Sequence, residues 1–343
     1  MSIAITEDHR SLAETVRSFA EKRNLRGAAR ERLESPDDSL PAFWSEFSEL
    51  GWLGLHLPED VGGSGYGIEE LVIVVEELAR AVAPGPFVPT VIASAVIAAA
   101  GDDGLRSRLL PGFADGSTVG AVARGGAVTV SDGVASGDAG VVLGGSAASV
   151  LLVAVGDDVA VVEVGDGVAV DSPPSLDPSR PSVRVTLDRA PATVIPGARR
   201  ALVDLSRVIL SADAVGVARE CTEMGAAYSK ERIQFGRPIA MYQAVKHHCA
   251  NMSVATELAT SAVWDAARAA ATGGDQLSYA AAAAATLSAP AADLCANLNT
   301  QVHGGIAITW EHDMHLYFKR AHGSAQLLGA PREQVRRLES EIL

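Results

Sequence analysis

An arginine, a phenylalanine and a pair of glycines carry the plainest chemistry in this 343-residue chain. Arg232, Gln234 and Phe235 end a helical run just before Gly236 and Pro238, and Gln243 follows. Gln301, Val302, His303, Gly304 and Gly305 end a second run. A guanidinium presents a planar fork of donors that matches the oxygens of an anionic group, which a lysine ammonium does not. Adjacent glycines let the backbone approach a ligand and aim N–H groups at it. Each motif alone also has a plainer reading. Gly236 serves as a helix C-cap, Gly304-Gly305 as a loop, and His303 as a hydrogen-bonded structural histidine. Trp310, Glu311, His312 and Asp313 read as a turn and helix start, with Asp313 as the cap.

The elements that must position these residues follow from periodicity. Residues from Thr6 to about 112 read as helices. Thr6 caps the first, with Glu7 and Asp8 at the positive end of its dipole, and Leu12, Val16 and Phe19 mark one face. A Gly- and Pro-rich loop, ELGWLGLHLPEDVGGSGYG, precedes a helix from Ile68 to Ala83. From about Phe113 the pattern becomes short Val/Ala/Leu runs punctuated by Gly and Asp, which is strand language and ends near Gly197. The chain is helical again from Ala201, with one long helix from Ser206 to about Gln234, a second after Pro238, and a third reaching His303. The alanine run at 280–285 is short and is interrupted by Pro290.

Composition narrows the function. The net charge of −14 argues against nucleic acid and anionic membranes as partners. A polyanionic ligand must then be held by local cations. Hydrophobic residues make up 48%, enough for large cores, and charged residues 20%, a low share that fits burial in an oligomer. Of the 28 basic residues only Lys22, Lys230, Lys246 and Lys319 are lysines, a usage that fits a GC-rich genome such as an actinobacterium's. Cys221, Cys249 and Cys295 form no metal or disulfide pattern, which fits a reducing cytoplasm. The N-terminus does not read as a signal peptide, and no apolar run reaches the ~18 residues of a membrane span.

The runs ERIQFGRP (231–238) and QVHGGIAITWEHDMHLYFKRA (301–321) together resemble the C-terminal half of the acyl-CoA dehydrogenase family. The segment GW…PE…GG within residues 51–63 is similar to that family's as well. The resemblance implies an α+β fold in three parts: an N-terminal helical domain (1–112), a shortened middle β-domain (113–197) and a C-terminal four-helix-bundle domain (198–343). It implies FAD shared at a subunit interface. Arg232, Gln234, Phe235, Gln243, Gln301, Val302, His303, Gly304 and Gly305 would reach across that interface to the ADP part of a neighbour's cofactor. It also implies an acyl-CoA substrate and an electron-transfer acceptor.

Other positions depart from the family. The glutamate that removes the substrate α-proton falls, counting forward from Ala321, on Leu328, before Gly329. A second known position for the base falls on Ser206, before Arg207. Where the family carries a T-E-P-x-x-G-S-D-like loop on the flavin, this chain has GAVARGGAV. A tryptophan-bearing strand over the flavin is replaced by Val141-Val142-Leu143. The parts that would act on the chain's own flavin ring are absent, and the parts that would serve a neighbour remain. The expectation is a non-catalytic subunit in a heterotetramer, two copies of each chain, with a catalytic acyl-CoA dehydrogenase partner that binds most of the acyl-CoA. Steroid side-chain or lipid catabolism is the expected context. Two alternatives stay open. One is a homomer with a displaced base, either Glu311 or an acid of the terminal LESEIL. The other is a flavin-free scaffold of the same fold.

Overall fold

The computed structural model describes residues 5–34, 39–329 and 335–336. Six helices come first: α1 (Glu7–Lys22), α2 (Leu25–Glu34), α3 (Trp44–Glu49), α4 (Ile68–Arg80), α5 (Phe87–Ala100) and α6 (Asp103–Ala114). Thr6 caps α1 as its sequence suggests, accepting from the His9 N–H while the His9 ring accepts from the Thr6 N–H. Seven strands follow: β1 (Gly120–Ala123), β2 (Ala127–Ser131), β3 (Val134–Leu143), β4 (Val150–Val155), β5 (Asp158–Glu163), β6 (Val168–Asp171) and β7 (Ser182–Ile195). The last part comprises α7 (Arg199–Glu231), a hairpin of β8 (Ile233–Gln234) and β9 (Arg237–Pro238), α8 (Gln243–Thr272), α9 (Gly274–His303) and α10 (Met314–Leu328).

The chain forms two compact units. One comprises residues 31–71 and 84–206. Its sheet runs β2-β3-β1-β4-β5-β7-β6, and a further pairing of β3 with β7 closes it on itself. Closure buries an inner face of small and branched residues, among them Ala121, Val142, Leu151, Val162, Val183 and Val185. Val142 belongs to that interior, Leu143 is buried outside that cluster, and Val141 is exposed. In the same unit α5 is apolar on every side and nearly all buried, as a helix without a polar stripe must be.

The other unit comprises residues up to 30, 72–83 and from 207 onward. Its helices pack closely because the contacting residues are small. A Cβ at Gly216 of α7 would stand 2.2 Å from the Glu76 carbonyl oxygen of α4. The α9 face toward its neighbours is mostly alanine, from Ala280 to Ala296. Pro290 does not interrupt α9. The helix gives up one N–H there, and the buried alanines on either side hold it in register. A buried ion pair ties α10 to α7, with Arg320 Nη1 3.2 Å from Asp213 Oδ1. Ser324 Oγ donates to Asp213 Oδ2, and Arg320 also donates to the Ala83 carbonyl after α4.

Two local expectations are corrected. The long helix begins at Arg199 and stops at Glu231, so Gln234 lies on a hairpin strand, not in the last turn. Asp313 stands at the α10 N-cap but makes no side-chain capping bond. Its carboxylate is engaged by Arg30 instead.

Candidate functional site

After Glu231 the chain must leave α7 and turn back within a few residues. Ile233 pairs with Pro238 and Gln234 with Arg237, which leaves Phe235 and Gly236 as a two-residue turn. Both have positive φ, +52° and +78°, as a type I′ turn requires. Glycine takes that conformation freely. Phenylalanine takes it at a cost of about 1–2 kcal/mol. Phe235 is also 92% exposed, and the ring contact it makes is edge-on to Tyr242, with centroids 6.4 Å apart, which offsets little of the strain.

The turn is held firmly. Tyr242 Oη donates to the Gln234 carbonyl at 3.1 Å, and the Arg237 guanidinium lies 4.4 Å over the Tyr242 ring. The Arg232 main chain is fixed in both directions, its N–H donating to the Tyr228 carbonyl and its carbonyl accepting from the Ile239 N–H. Its guanidinium is exposed and, among the described residues, makes no ion pair or hydrogen bond. Gln243, at the start of α8, is also exposed.

The second segment ends α9. His303 is buried, and its Nδ1 donates to the Asn299 carbonyl at 3.0 Å. Its ring stacks on Tyr228 of α7 with centroids 4.2 Å apart. Tyr228 lies one turn before Arg232, so this stack brings the ends of α7 and α9 together. Burial holds the His303 imidazole below the ordinary histidine pKa. Gln301, Gly304 and Gly305 are exposed, whereas Val302 is buried and can contribute only through packing or backbone. Gly304 has φ +66°, and nothing lies within 4 Å of where a Cβ would stand at Gly304 or Gly305. The glycine backbone therefore faces open space, which suits the approach of an anionic ligand.

The positions where a base would be sought look different. Leu328, at the end of α10, is 1% exposed. Ser206 is fully buried, and its Oγ has no hydrogen-bond partner among the described residues. Glu311 is exposed, and bonds to its own backbone and to Thr309 push its pKa down, the wrong direction for a proton acceptor near neutrality. The LESEIL acids lie outside the described residues.

Sequence reasoning did not single out Tyr228, Tyr242, Arg30 or the capping role of His312. Tyr228 and Tyr242 had a local signal, since each lies within a helical turn of a proposed contact residue. Arg30 had none, because its partners are some 280 residues away along the chain.

Two family models match this chain, the acyl-CoA dehydrogenase N-terminal domain over residues 6–117 and the C-terminal domain over residues 198–338. The chain belongs to the acyl-CoA dehydrogenase family. It is 37% identical to the acyl-CoA dehydrogenase IpdE2 of Mycobacterium tuberculosis, over 98% of each chain. It is 39% identical to FadE34 of the same organism over 98% of its own length, but it spans only 48% of that protein. Among solved structures it is similar to a variant of the Tcur3481-Tcur3483 steroid ACAD, with TM-score 0.91 and 29% identity over 98% of both chains. It is also similar to the ChsE4-ChsE5 complex of Mycobacterium tuberculosis, with TM-score 0.92 and 26% identity over 100% of this chain and 99% of that one. Among the described residues no helix is long and apolar enough to cross a membrane, and no side-chain cluster is placed to hold a metal ion.

Proposed function

We propose that this chain is the non-catalytic subunit of a heteromeric acyl-CoA dehydrogenase, assembled as two copies of each of two subunits. It completes FAD sites carried mainly by a base-bearing partner. The observation that carries this reading is an asymmetry. Arg232, Phe235 and the Gly304-Gly305 backbone are open and uncommitted, while leucine and an isolated buried serine occupy both positions where the family places its base. A subunit acting on its own substrate needs the second set. A subunit serving a neighbour needs only the first.

The residues fit the phosphate-bearing end of FAD. Arg232 would take the pyrophosphate, and the Gly304 and Gly305 N–H groups would lie alongside it. Phe235 would cover an apolar edge, and the amides of Gln234, Gln243 and Gln301 would supply further donors. His303 and Val302 shape the segment from within. FAD, when bound, supplies the hydride acceptor for desaturation of the acyl-CoA thioester. The division at residues 112 and 197 accompanies this reading, with the strand-rich part no longer specialised for the chain's own flavin. Two similar solved structures are described as assemblies of two named chains, and one of these is a steroid ACAD, which supports a steroid or other lipid acyl group. FadE34 extends well beyond the matched half, which is consistent with a unit of this kind working beside a second one.

The test is flavin content. Purified alone, the chain should hold little FAD, and co-expressed with its catalytic partner the complex should hold it stoichiometrically. Stoichiometric FAD in the lone chain would overturn the proposal in favour of a homomer. A stable partner complex that never binds flavin would favour the scaffold. If Glu311→Gln abolished acyl-CoA-dependent dye reduction while FAD content stayed normal, this chain would carry the base after all.

A further inference from the structure

Gly304 and Gly305 are a poor choice for a site that must be held still. Glycine loses more backbone freedom on ordering than any other residue, so an unanchored glycine segment pays that cost when its ligand binds. This segment is suspended between two anchors. The first is the Tyr228–His303 stack at its start. The second lies beyond its end. Gly304–Ile308 form a short 3-10 helix, closed by the Thr309 N–H donating to the Ile306 carbonyl, and a turn through Trp310 to Asp313 follows.

Arg30, on α2, grips that turn. Its Nη1 donates to the Trp310 carbonyl at 2.6 Å. Its Nη2 donates to the Glu311 carbonyl at 3.2 Å and to Asp313 Oδ1 at 2.5 Å. One guanidinium thus satisfies three acceptors on the same turn. Arg26 approaches the other oxygen of Asp313, with Nη1 4.0 Å from Oδ2, but reaches neither carbonyl in the turn.

The grip comes at a cost to α10. Aspartate at an N-cap ordinarily accepts from the first turn of its own helix, worth about 1 kcal/mol. Asp313 makes no such bond, and the ring of His312 accepts from the Met314 N–H at 3.2 Å in its place. A good capping residue has been turned away from its helix and toward Arg30. Helix stability alone does not call for that arrangement. Fixing the turn that carries the glycine segment does.

We infer that Arg30 is a positioning residue for flavin, which sets the Gly304-Gly305 backbone in its binding geometry without touching the cofactor. The inference rests on the proposed function of this segment. Its test uses the assembled complex with its partner and reads two quantities, FAD affinity by titration of the apo-complex and backbone amide exchange across residues 304–313. Arg30→Gln should weaken FAD binding by about tenfold, the loss expected when charge-assisted bonds that hold a site are removed. Exchange should rise in the 304–313 segment only, with assembly and global protection unchanged. Arg30→Lys should recover little, since an ammonium cannot reach three acceptors spread over a planar fork. Asp313→Asn, which leaves α2 untouched, should weaken FAD by about threefold through the loss of a charged acceptor, and it serves if Arg30→Gln does not fold.

Arg232→Ala is the control. If it loses FAD while the Arg30 and Asp313 variants bind normally, Arg30 is merely structural and this inference fails alone. If FAD loss in the Arg30 variant only tracks loss of assembly or global protection, the inference also fails. If none of the variants, Arg232→Ala included, affects FAD, the proposed function of the segment is itself wrong.

Discussion

At the scale of single residues, two side chains are held in ways that their own unit does not require. Arg232 has a fixed main chain and a guanidinium that engages no partner among the described residues. Removing it should therefore leave the fold intact and cost the complex its hold on FAD. Arg232→Ala should weaken retention by ~1.5–3 kcal/mol, the worth of hydrogen bonds between charged groups. Arg232→Lys should not restore it, because a point charge does not reproduce the fork. Equilibrium FAD titration of the apo-complex measures both, and unchanged affinity in both would show that the pyrophosphate lies elsewhere. Phe235 makes the opposite trade. Phe235→Gly removes the positive-φ strain and should leave the lone chain as stable or up to ~1 kcal/mol more stable. The same change should weaken FAD binding in the complex. A melt and a flavin titration on one preparation decide the matter. Loss of stability together with unchanged FAD affinity would mean that the aromatic supports its own hairpin.

At the scale of elements, the turn between α9 and α10 brings two partly buried histidines together. Burial holds His303 and His312 below the ordinary histidine pKa, and the neighbouring His303 adds to the effect on His312. Their rings meet edge to face, 4.8 Å between centroids. His312 must also stay neutral at Nδ1 to accept from Met314. A histidine whose folded pKa is depressed takes its proton more readily when its surroundings open. Its contribution is therefore complete above pH ~6.5 and is lost progressively as pH falls below that value toward the folded pKa. Amide exchange in residues 303–314, corrected for intrinsic rates, should accelerate between pH 7 and pH 5.5. His312→Asn keeps an acceptor without a titratable ring and should remove much of that acceleration. A variant as pH-sensitive as the parent would acquit His312. The element scale also shows what the sequence made legible. Periodicity located the strand-rich middle and the long C-terminal helices, because buried faces impose their spacing on the chain. It missed the end of α7 at Glu231, since a two-residue turn with phenylalanine at positive φ goes against local preference. It assigned Asp313 its usual capping role because capping preferences are local, and the arginine that overrides them lies far away in sequence. The closure of the sheet through β3 and β7 was equally out of reach, as strand pairing between distant segments leaves no periodic signal.

At the scale of the whole molecule, exposed apolar side chains on α8 and α9 bear on the proposed assembly. On α8 the exposed positions include Val254 and Leu258, one turn apart, and on α9 they include Tyr279, Leu287 and Leu294. Exposed single apolar residues are ordinary, but apolar residues recurring at helical spacing on two packed helices suit burial in an assembly such as the one proposed. Between Asp275 and His303, α9 carries a single charged side chain, Asp293, so little keeps these residues apart from another apolar surface. The buried layer between α8 and α9 uses other positions, among them Met252, Ala259 and Val263 on α8 and Ala281, Ala285 and Ala292 on α9. Leu258→Lys combined with Leu294→Lys should therefore leave the helices folded, as judged by circular dichroism, while the co-expressed partner no longer elutes with this chain. A lysine buried at such an interface without a partner charge costs several kcal/mol, enough to dissociate a complex at micromolar concentration. Flavin should then be lost with assembly, although neither leucine stands near Arg232 or Gly304 in sequence. A double variant that still co-elutes with a full complement of FAD would place the subunit interface on another face. The asymmetry between open contacts and a missing base would then have to be read against that other surface.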